Sequence, residues 1–187
     1  MVKRRLAGLL DFLAMRDCLS GHAPWLVAVT TLALGCARDA RLDESDRLDT
    51  LCTVLRIVDG DTIDCEGGIR IRLVGIDAPE GDQVPHGNRS RAALAERLPR
   101  GSVVRIERDR ELFDTFGRTL AYLWSADTMV NEAMVRGGWA VTFFIPPNLR
   151  YRRRLVRAES AARNAGAGLW KDWGFTCRPV DHRRGRC

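Results

Sequence analysis

The sequence has no apolar stretch long enough for an ordinary membrane-spanning helix. Its most continuous apolar run, residues 24–35, contains twelve residues without charge, whereas a bilayer span needs about 20. The chain also lacks internal repeats, which excludes a solenoid or a propeller, and its cysteine spacings do not match a zinc site. What remains is a chain of 187 residues, a length that fits one compact domain with appendages.

The apolar run, together with the basic residues 1–5, is typical of an export signal. Small residues around Ala37 permit ordinary signal cleavage, and Cys36 after Leu34-Gly35 permits lipid attachment instead. An uncleaved anchor, or a start at Met15 rather than Met1, also fits the pattern. We expect an exported protein, periplasmic or secreted, with membrane attachment through the lipid-anchored Cys36 as the alternative.

The charge balance points to a polyanionic partner. The chain carries a formal charge of +6 and a pI near 9.4, and a basic protein associates readily with nucleic acid. A weakly basic soluble protein without such a partner fits these values equally well.

Four cysteines follow the leader, and four allow three pairings. Cys52 and Cys65 flank an Asp-Gly turn on segments that should pair as strands, while Cys177 and Cys187 lie close together in the tail. We therefore expect two local disulfides, each contributing about 3 kcal/mol mainly through the unfolded state. Disulfides suit an oxidising compartment, and four reduced thiols in a cytosolic protein are the alternative.

The residue pattern after Cys52 indicates short strands with helices inserted and appended. Asp59-Gly60 is a strong hairpin turn, and in the segment 69–74 the apolar residues alternate with Arg70 and Arg72, which face away from the core. We predict strands over 54–58, 62–65, 69–74, 103–107 and 119–124, an extended run over 139–145, and helices over 88–98, 129–136 and 150–165. Five short strands with about three helices predict an α+β fold built on a partly closed barrel of the OB type, which binds oligonucleotides on one face.

Charged side chains with complementary chemistry cluster in the sequence. Asp61 and Asp77 could hold a metal, Glu80 could act as a base, and the forked donors of Arg72 and Arg118 fit phosphate oxygens. This combination suits cleavage of a phosphodiester. Each residue also has an ordinary role: an aspartate favoured in a hairpin turn, a solvated charge, or, for Arg118, an ion pair with the nearby Asp114.

Four blocks of sequence, taken in order, resemble the staphylococcal nuclease (thermonuclease) family. They are Asp59-Gly60-Asp61-Thr62, Arg72 through Glu80, Asp114 through Tyr122, and Val130-Asn131-Glu132-Ala133. The resemblance extends from about Val54 to Trp170. A single Asp-Gly-Asp is a weak signal, whereas four blocks with family-like spacing are a strong one.

The resemblance implies a calcium-dependent nuclease that acts on DNA and RNA, preferably single-stranded, and leaves 3′-phosphate ends. Asp61, Asp77 and the backbone carbonyl of Ala78 match the calcium ligands. Glu80 matches the general base, and Arg72 and Arg118 match the arginines that hold the phosphate. Ala78 replaces a threonine, which keeps the carbonyl but removes a hydroxyl.

The surroundings of this site match the family less closely. Phe144 could stack on a base, but it lacks a phenolic hydroxyl, Pro146 replaces a second aromatic residue, and a core role for Phe144 is equally compatible. Arg150 and Arg153 are candidate substrate contacts on the last helix. Basic tail residues could contact backbone phosphate outside the catalytic pocket; they are Arg183, Arg184 and Arg186. A solvated helix face and a disordered tail are the alternatives.

These features divide the chain into four parts. Residues 1–36 are a signal peptide or lipoprotein-type leader, 37–51 a linker, 52–172 the nuclease-like domain and 173–187 a basic tail that contains cysteine. Two other functions remain open: a catalytically inactive OB-fold module that binds nucleic acid, and an exported adaptor domain whose tail binds polyanions. No protein partner is expected.

Overall fold

A computed structural model describes residues 50–187. The predicted leader, with Cys36, and nearly all of the predicted linker lie outside the described residues. Along residues 50–187, no helix combines the length and the apolar character needed to cross a bilayer.

The described chain alternates short strands with helices. The strands are β1 Thr50–Ile57, β2 Thr62–Cys65, β3 Arg70–Leu73, β4 Ile76–Asp77, β5 Val103–Glu107, β6 Thr119–Ser125, β7 Thr128–Met129 and β8 Val141–Thr142. The α-helices are α1 His86–Arg97, α2 Val130–Arg136, α3 Arg152–Asn164 and the short α4 Pro179–Arg183. Single 3₁₀ turns lie at Glu66–Gly68 and Gly168–Trp170.

Five of the strands close into a barrel. They pair in the order β3-β2-β1-β5-β6, and a parallel pairing of β3 with β6 joins the two ends. Thr62 lies opposite Arg72 in the β2–β3 pair, and Ile71 lies opposite Thr119 where the barrel closes. The predicted α+β fold with a five-stranded OB-type barrel is therefore confirmed. The three predicted helices are α1, α2 and α3, and α4 is an additional one.

The barrel interior is filled by the inward-facing residues of these strands and by one side of α2 and α3. The completely buried side chains include Ile63, Ile71, Leu123, Met134 and Leu155. One polar side chain, that of Asn131 on α2, lies among them. Its Nδ2 donates to the carbonyl of Val74 at 2.9 Å, and its Oδ1 accepts from the amide of Leu123 at 2.9 Å. Asn131 thus ties α2 to β6 and to the residue that follows β3.

The turn between β1 and β2 forms where the Asp-Gly dipeptide predicts it. The Asp59 carboxylate accepts a hydrogen bond from the amide of Asp61 at 2.8 Å. Gly60, however, does not have the left-handed backbone that a type I′ turn requires. The glycine is needed for close packing instead, because a Cβ at this position would lie 1.9 Å from Oγ of Ser90 on α1.

Most predicted strands and helices agree with the structure to within two residues at each end, but two predictions differ more. β1 begins at Thr50, inside the predicted linker 37–51, because Thr50 pairs with Ile106 and Leu51 with Arg105. The predicted extended run over residues 139–145 contains only the short strand β8, which pairs with β4.

The tail is folded, so the alternative of a disordered tail is also wrong. Phe175 and Pro179 are buried, and Phe175 packs with Leu169 and Val141. The structure contains disulfides between Cys52 and Cys65 and between Cys177 and Cys187, which are the two local pairs expected from the sequence. The second disulfide closes a loop that contains α4.

Candidate active site

Two buried carboxylates lie at one end of the barrel. Asp61 is at the end of the hairpin turn and is 5% exposed; its Oδ2 accepts from the amide of Ala78 at 2.6 Å. Asp77 ends β4 and is 1% exposed. The pairing of β4 with β8 sets its position, with Asp77 opposite Val141.

Arg72 joins the two carboxylates. It lies on β3 with its side chain opposite the core, as the alternation in the sequence predicts. Its Nη1 is 3.2 Å from Oδ1 of Asp61, and its Nη2 donates to Oδ1 of Asp77 at 3.1 Å. Nη1 also donates to the carbonyl of Leu73 at 2.8 Å, which orients the guanidinium. One positive charge thus offsets part of the repulsion between two buried acids.

The environment of Asp61 disfavours its charged form. Burial raises the pKa of Asp61 to about 7 against the opposing effect of Arg72, and the neighbouring Asp59 and Asp77 raise it further. A bound cation would favour the ionised carboxylate of Asp61.

Glu80 and Arg118 approach the same end of the barrel from two loops. The amide of Glu80 donates to Oε1 of Gln83 at 2.9 Å, and the Glu80 side chain is 34% exposed, so water reaches it. Arg118 forms an ion pair with Asp114 at 2.6 Å, which is the ordinary role considered for it from the sequence. Burial works to raise the pKa of Asp114, but hydrogen bonds from the amide and the guanidinium of Arg118, the charge of Arg118 and a hydrogen bond from the Phe116 amide lower it overall. The ion pair holds Arg118 at the cavity rather than removing it from the site.

Two adjoining cavities bring these residues together. The larger, of about 760 Å³, is lined by Asp61, Glu80 and Arg118, among others. The smaller, of about 330 Å³, is lined by Arg72 and again by Arg118. Of the five charged side chains predicted for metal binding and catalysis, Asp77 alone lines neither cavity.

The residue that covers Asp77 is Arg183 of α4, which lines both cavities. Its Nη1 and Nη2 donate to the two oxygens of Asp77 at 3.0 and 2.9 Å, and Nη1 also donates to Oε1 of Glu80 at 2.5 Å. Burial opposes the charge, but the hydrogen bonds to Asp77 and Glu80 raise the pKa of Arg183 above its usual value. From the sequence, Arg183 was a candidate for phosphate contacts outside the catalytic pocket, whereas in the structure it lines that pocket. A cysteine pair in the tail indicates a constrained loop, but nothing local indicates where that loop docks.

Phe116 is a second residue that the sequence reasoning missed. It is 82% exposed, lines both cavities and packs against the guanidinium of Arg118, whose Cζ lies 5.5 Å from the ring centroid. The signal was its place between Asp114 and Arg118 in one of the four family-like blocks.

The predicted peripheral contacts do not converge on these cavities. Phe144 is half-buried and packs against the core near Gly75, whereas its neighbour Phe143 lines the smaller cavity. Arg150 pairs with Glu107 at 2.5 Å and lines a different pocket. Arg153 lies exposed on α3.

The acidic pair fits a hard cation only in part. Within residues 50–187, no group of three or more His, Cys, Asp or Glu side chains could hold a metal alone. Calcium takes about 6–8 oxygen ligands, so Asp61, Asp77 and the carbonyl of Ala78 would need oxygens from water or a substrate. The carboxylate oxygens already contact cationic groups, Arg72 and Arg183, which shows that positive charge is accommodated there.

The fold and the site define a class: a small OB-type barrel with buried carboxylates and arginines at one shared cavity. The family model described as staphylococcal nuclease homologue matches residues 70–172. The chain belongs to the staphylococcal nuclease family, which confirms the resemblance seen in the sequence.

The chain is similar to a thermonuclease, to a micrococcal nuclease and to a protein named ParB. The thermonuclease of Staphylococcus intermedius is 37% identical over 126 residues, which is 63% of this chain and 74% of the relative. The micrococcal nuclease of Shigella flexneri is 35% identical over 133 residues, or 64% and 72% of the two chains. Protein ParB of Escherichia coli is 39% identical over 133 residues, or 64% and 71%.

Proposed function

We propose that this protein hydrolyses phosphodiester bonds in DNA and RNA with calcium as cofactor, leaving 3′-phosphate ends. One observation carries the proposal: Asp61, Arg72, Glu80 and Arg118 line two adjoining cavities, and Arg72 binds the buried Asp77. A scissile phosphate at this point would contact acid, base and guanidinium groups together. Family membership and the named nuclease relatives support the same reaction.

Asp61, Asp77 and the backbone carbonyl of Ala78 would hold the calcium ion. When bound, the ion supplies Lewis-acid stabilisation of charge on the phosphate oxygens. Because the protein offers few ligands, the site would be weak until substrate completes it, with a dissociation constant of about 10⁻⁴ to 10⁻³ M.

Arg72 and Arg118 would bind the phosphate and stabilise the charge that develops as phosphorus becomes five-coordinate. Both guanidinium groups are held by neighbouring acids, Arg72 by Asp61 and Asp77 and Arg118 by Asp114. Their donors are therefore already oriented when the substrate arrives. A lysine could not replace them, because it presents a point charge rather than a planar fork.

Glu80 would accept the proton of the attacking water, and the 5′ oxygen of the next nucleotide would leave. Its partial exposure, 34%, leaves room for that water. A positioned general base contributes about 10² to 10⁴-fold in rate.

The open cavity favours a strand whose bases are splayed apart. Phe116 stands exposed at the rim, and stacking of a base on an aromatic ring contributes about 1–3 kcal/mol. We therefore propose a preference for single-stranded or breathing segments.

Further phosphate contacts would come from the exposed face of α3. Arg153 and Arg157 are exposed there, whereas Arg150 is committed to Glu107 and contributes less. Such contacts are salt-sensitive and independent of sequence. Cleavage of long DNA should then weaken more steeply with salt than cleavage of a dinucleotide, and equal salt dependence would exclude this surface.

We also propose that the protein is exported to the periplasm or secreted. The alternative is an exported protein that is anchored to a membrane by a lipid at Cys36. The two disulfides of the folded domain support an oxidising compartment. Mass spectrometry of the mature protein without reductant would identify the cleavage site, any lipid and the bridges; free thiols would contradict the proposal.

The test of the reaction uses the full chain and end-labelled single-stranded DNA, first with calcium and then with chelator. We expect cleavage only with calcium, and a loss of about 10² to 10⁴-fold in Glu80→Gln. Glu96→Gln, the same chemical change on an exposed helix position, should cleave at the normal rate. The products should resist extension by a polymerase until a phosphatase removes the 3′-phosphate.

Three results would contradict the proposal in different ways. Cleavage without calcium, or unchanged cleavage by Glu80→Gln, would exclude this mechanism. Tight binding of single-stranded DNA without cleavage would identify an inactive binding module. Association with polyanions that does not depend on divalent metal and leads to no cleavage would identify an adaptor domain.

A further inference from the structure

Arg183 occupies the oxygens that the proposed reaction needs free. Its guanidinium binds both carboxylate oxygens of Asp77 and one of Glu80. Asp77 is the buried half of the acidic pair assigned to calcium, and Glu80 is the residue assigned to activate water. One side chain from the tail thus covers a metal ligand and the base at once.

The tail that presents Arg183 is anchored rather than loosely attached. The disulfide between Cys177 and Cys187 closes the loop around α4. Nε2 of Gln83 donates to the carbonyl of Cys177 at 3.2 Å, and His182 contacts Asp82 at 2.9 Å. Both anchors lie on the loop that follows Glu80, so the tail and the base loop are held together.

A second set of contacts fixes the start of the tail. Phe175 and Pro179 are buried, and Arg178 forms an ion pair with Glu159 at 3.2 Å. The position of Arg183 therefore follows from the packing of the residues before it and from the disulfide that closes the loop after it. The Arg183 side chain itself remains 39% exposed, so it can move outward into solvent without unfolding the barrel.

Arg183 and a metal ion compete for the oxygens of Asp77, because Oδ1 already accepts from Arg72 and Arg183, and Oδ2 accepts from Arg183. The two-pronged contact fits the geometry of a carboxylate, and a pair of charge-assisted hydrogen bonds is strong where water is excluded. A divalent cation at Asp61 and Asp77 would repel Arg183 and take the same lone pairs. We therefore expect binding of the ion to displace the Arg183 guanidinium.

We propose that Arg183 is a built-in competitor of the metal, held in place by the disulfide-closed tail, so that calcium must displace it before the site is active. This inference rests on the proposed calcium-dependent function. Displacement also releases Glu80, so that one event exposes the metal ligand Asp77 and frees the base.

The experiment is a calorimetric titration of the full chain with calcium chloride in the absence of nucleic acid. Three proteins are compared: the unaltered chain, Arg183→Gln and the matched control Arg184→Gln, which removes the same charge from the next, exposed position. We expect Arg183→Gln to bind calcium about tenfold more tightly, which corresponds to about 1.4 kcal/mol. Arg184→Gln should bind as the unaltered chain does.

Two further measurements separate competition from a general electrostatic effect. Calcium should raise the melting temperature of Arg183→Gln by more than it raises that of the unaltered chain, because binding no longer breaks an ion pair. Replacing Cys177 and Cys187 together by serine, which frees the tail and leaves Arg183 in place, should shift the calcium affinity toward that of Arg183→Gln.

Equal or weaker calcium binding by Arg183→Gln would overturn the competition. So would the absence of calcium binding in all three proteins, a result that would also remove the metal from the proposed function. If Arg183→Gln binds more tightly but none of the three proteins cleaves DNA, the competition stands and the nuclease function fails.

Discussion

Replacing Gly60 by alanine should destabilise the protein and disturb the acidic pair together. Gly60 has no left-handed backbone, so alanine adds no conformational strain there. The added Cβ would instead lie 1.9 Å from Oγ of Ser90 and 2.7 Å from Cβ of Ala78. Something in the turn, in α1 or in the segment of Ala78 must move.

The cost can be worked from these contacts. Overpacking a well-packed site costs about 1–3 kcal/mol. Ser90 is buried and its hydroxyl donates to the carbonyl of Trp139 at 2.8 Å, so displacing it forfeits a buried hydrogen bond of about 1 kcal/mol. We expect Gly60→Ala to lower the free energy of unfolding by about 2–4 kcal/mol. Calcium affinity should fall as well, because the adjacent Asp61 and Ala78 move with the turn.

Urea denaturation in chelator measures the first effect and calorimetry the second. Gly81→Ala is the matched control, since a Cβ there meets nothing within 4 Å, and it should stay within about 0.5 kcal/mol of the unaltered chain. Adding Ser90→Ala to Gly60→Ala should recover part of the loss, because it removes the shortest contact. A Gly60→Ala protein as stable as the Gly81→Ala protein would refute the packing argument.

Three further predictions concern stability. Asn131→Ala should lower the free energy of unfolding by about 2–4 kcal/mol, since it leaves a buried amide and a buried carbonyl unpaired. Asn164→Ala, at an exposed position, is the control in urea denaturation. Equal denaturation midpoints for the two variants would contradict the structural role of Asn131. Replacing Cys52 and Cys65 together by serine should lower the free energy of unfolding by about 3 kcal/mol, as measured by urea denaturation without reductant. An unchanged denaturation midpoint would show that this disulfide does not stabilise the folded protein. Burial works to raise the pKa of Glu132, but its ion pairs with Arg136 and Arg154 lower it overall. The stabilisation of the folded state by these ion pairs is therefore present above the pKa of Glu132 in the unfolded chain, and it is lost as pH falls through the pKa of Glu132 in the folded protein. The melting temperature should therefore fall less on acidification below about pH 5 in Glu132→Gln than in the unaltered chain. Equal falls in the two proteins would show that the Glu132 ion pairs do not stabilise the folded state.

Local patterns predicted most of the barrel. β2 and β5 have the predicted bounds. Their apolar residues alternate because one face of each strand is buried, and this pattern can be read from the strand's own sequence. The Asp59-Gly60 dipeptide predicted the turn correctly but for an incomplete reason, since the glycine is required by Ser90 on α1. The start of β1 was misplaced because Thr50 is a strand residue only through its pairing with β5.

The candidate site also combines features that the sequence predicts with features that depend on the tertiary structure. The sequence by itself determined the identity and order of the acids and arginines, since residue type sets which chemistry a side chain can perform. Only the tertiary structure decided that Phe116 rather than Phe144 lines the cavities, and that Arg183 binds Asp77. Arg183 and Asp77 are 106 residues apart, and no local preference links them. Their contact exists because buried packing and a disulfide fix the tail against the loop that carries Glu80.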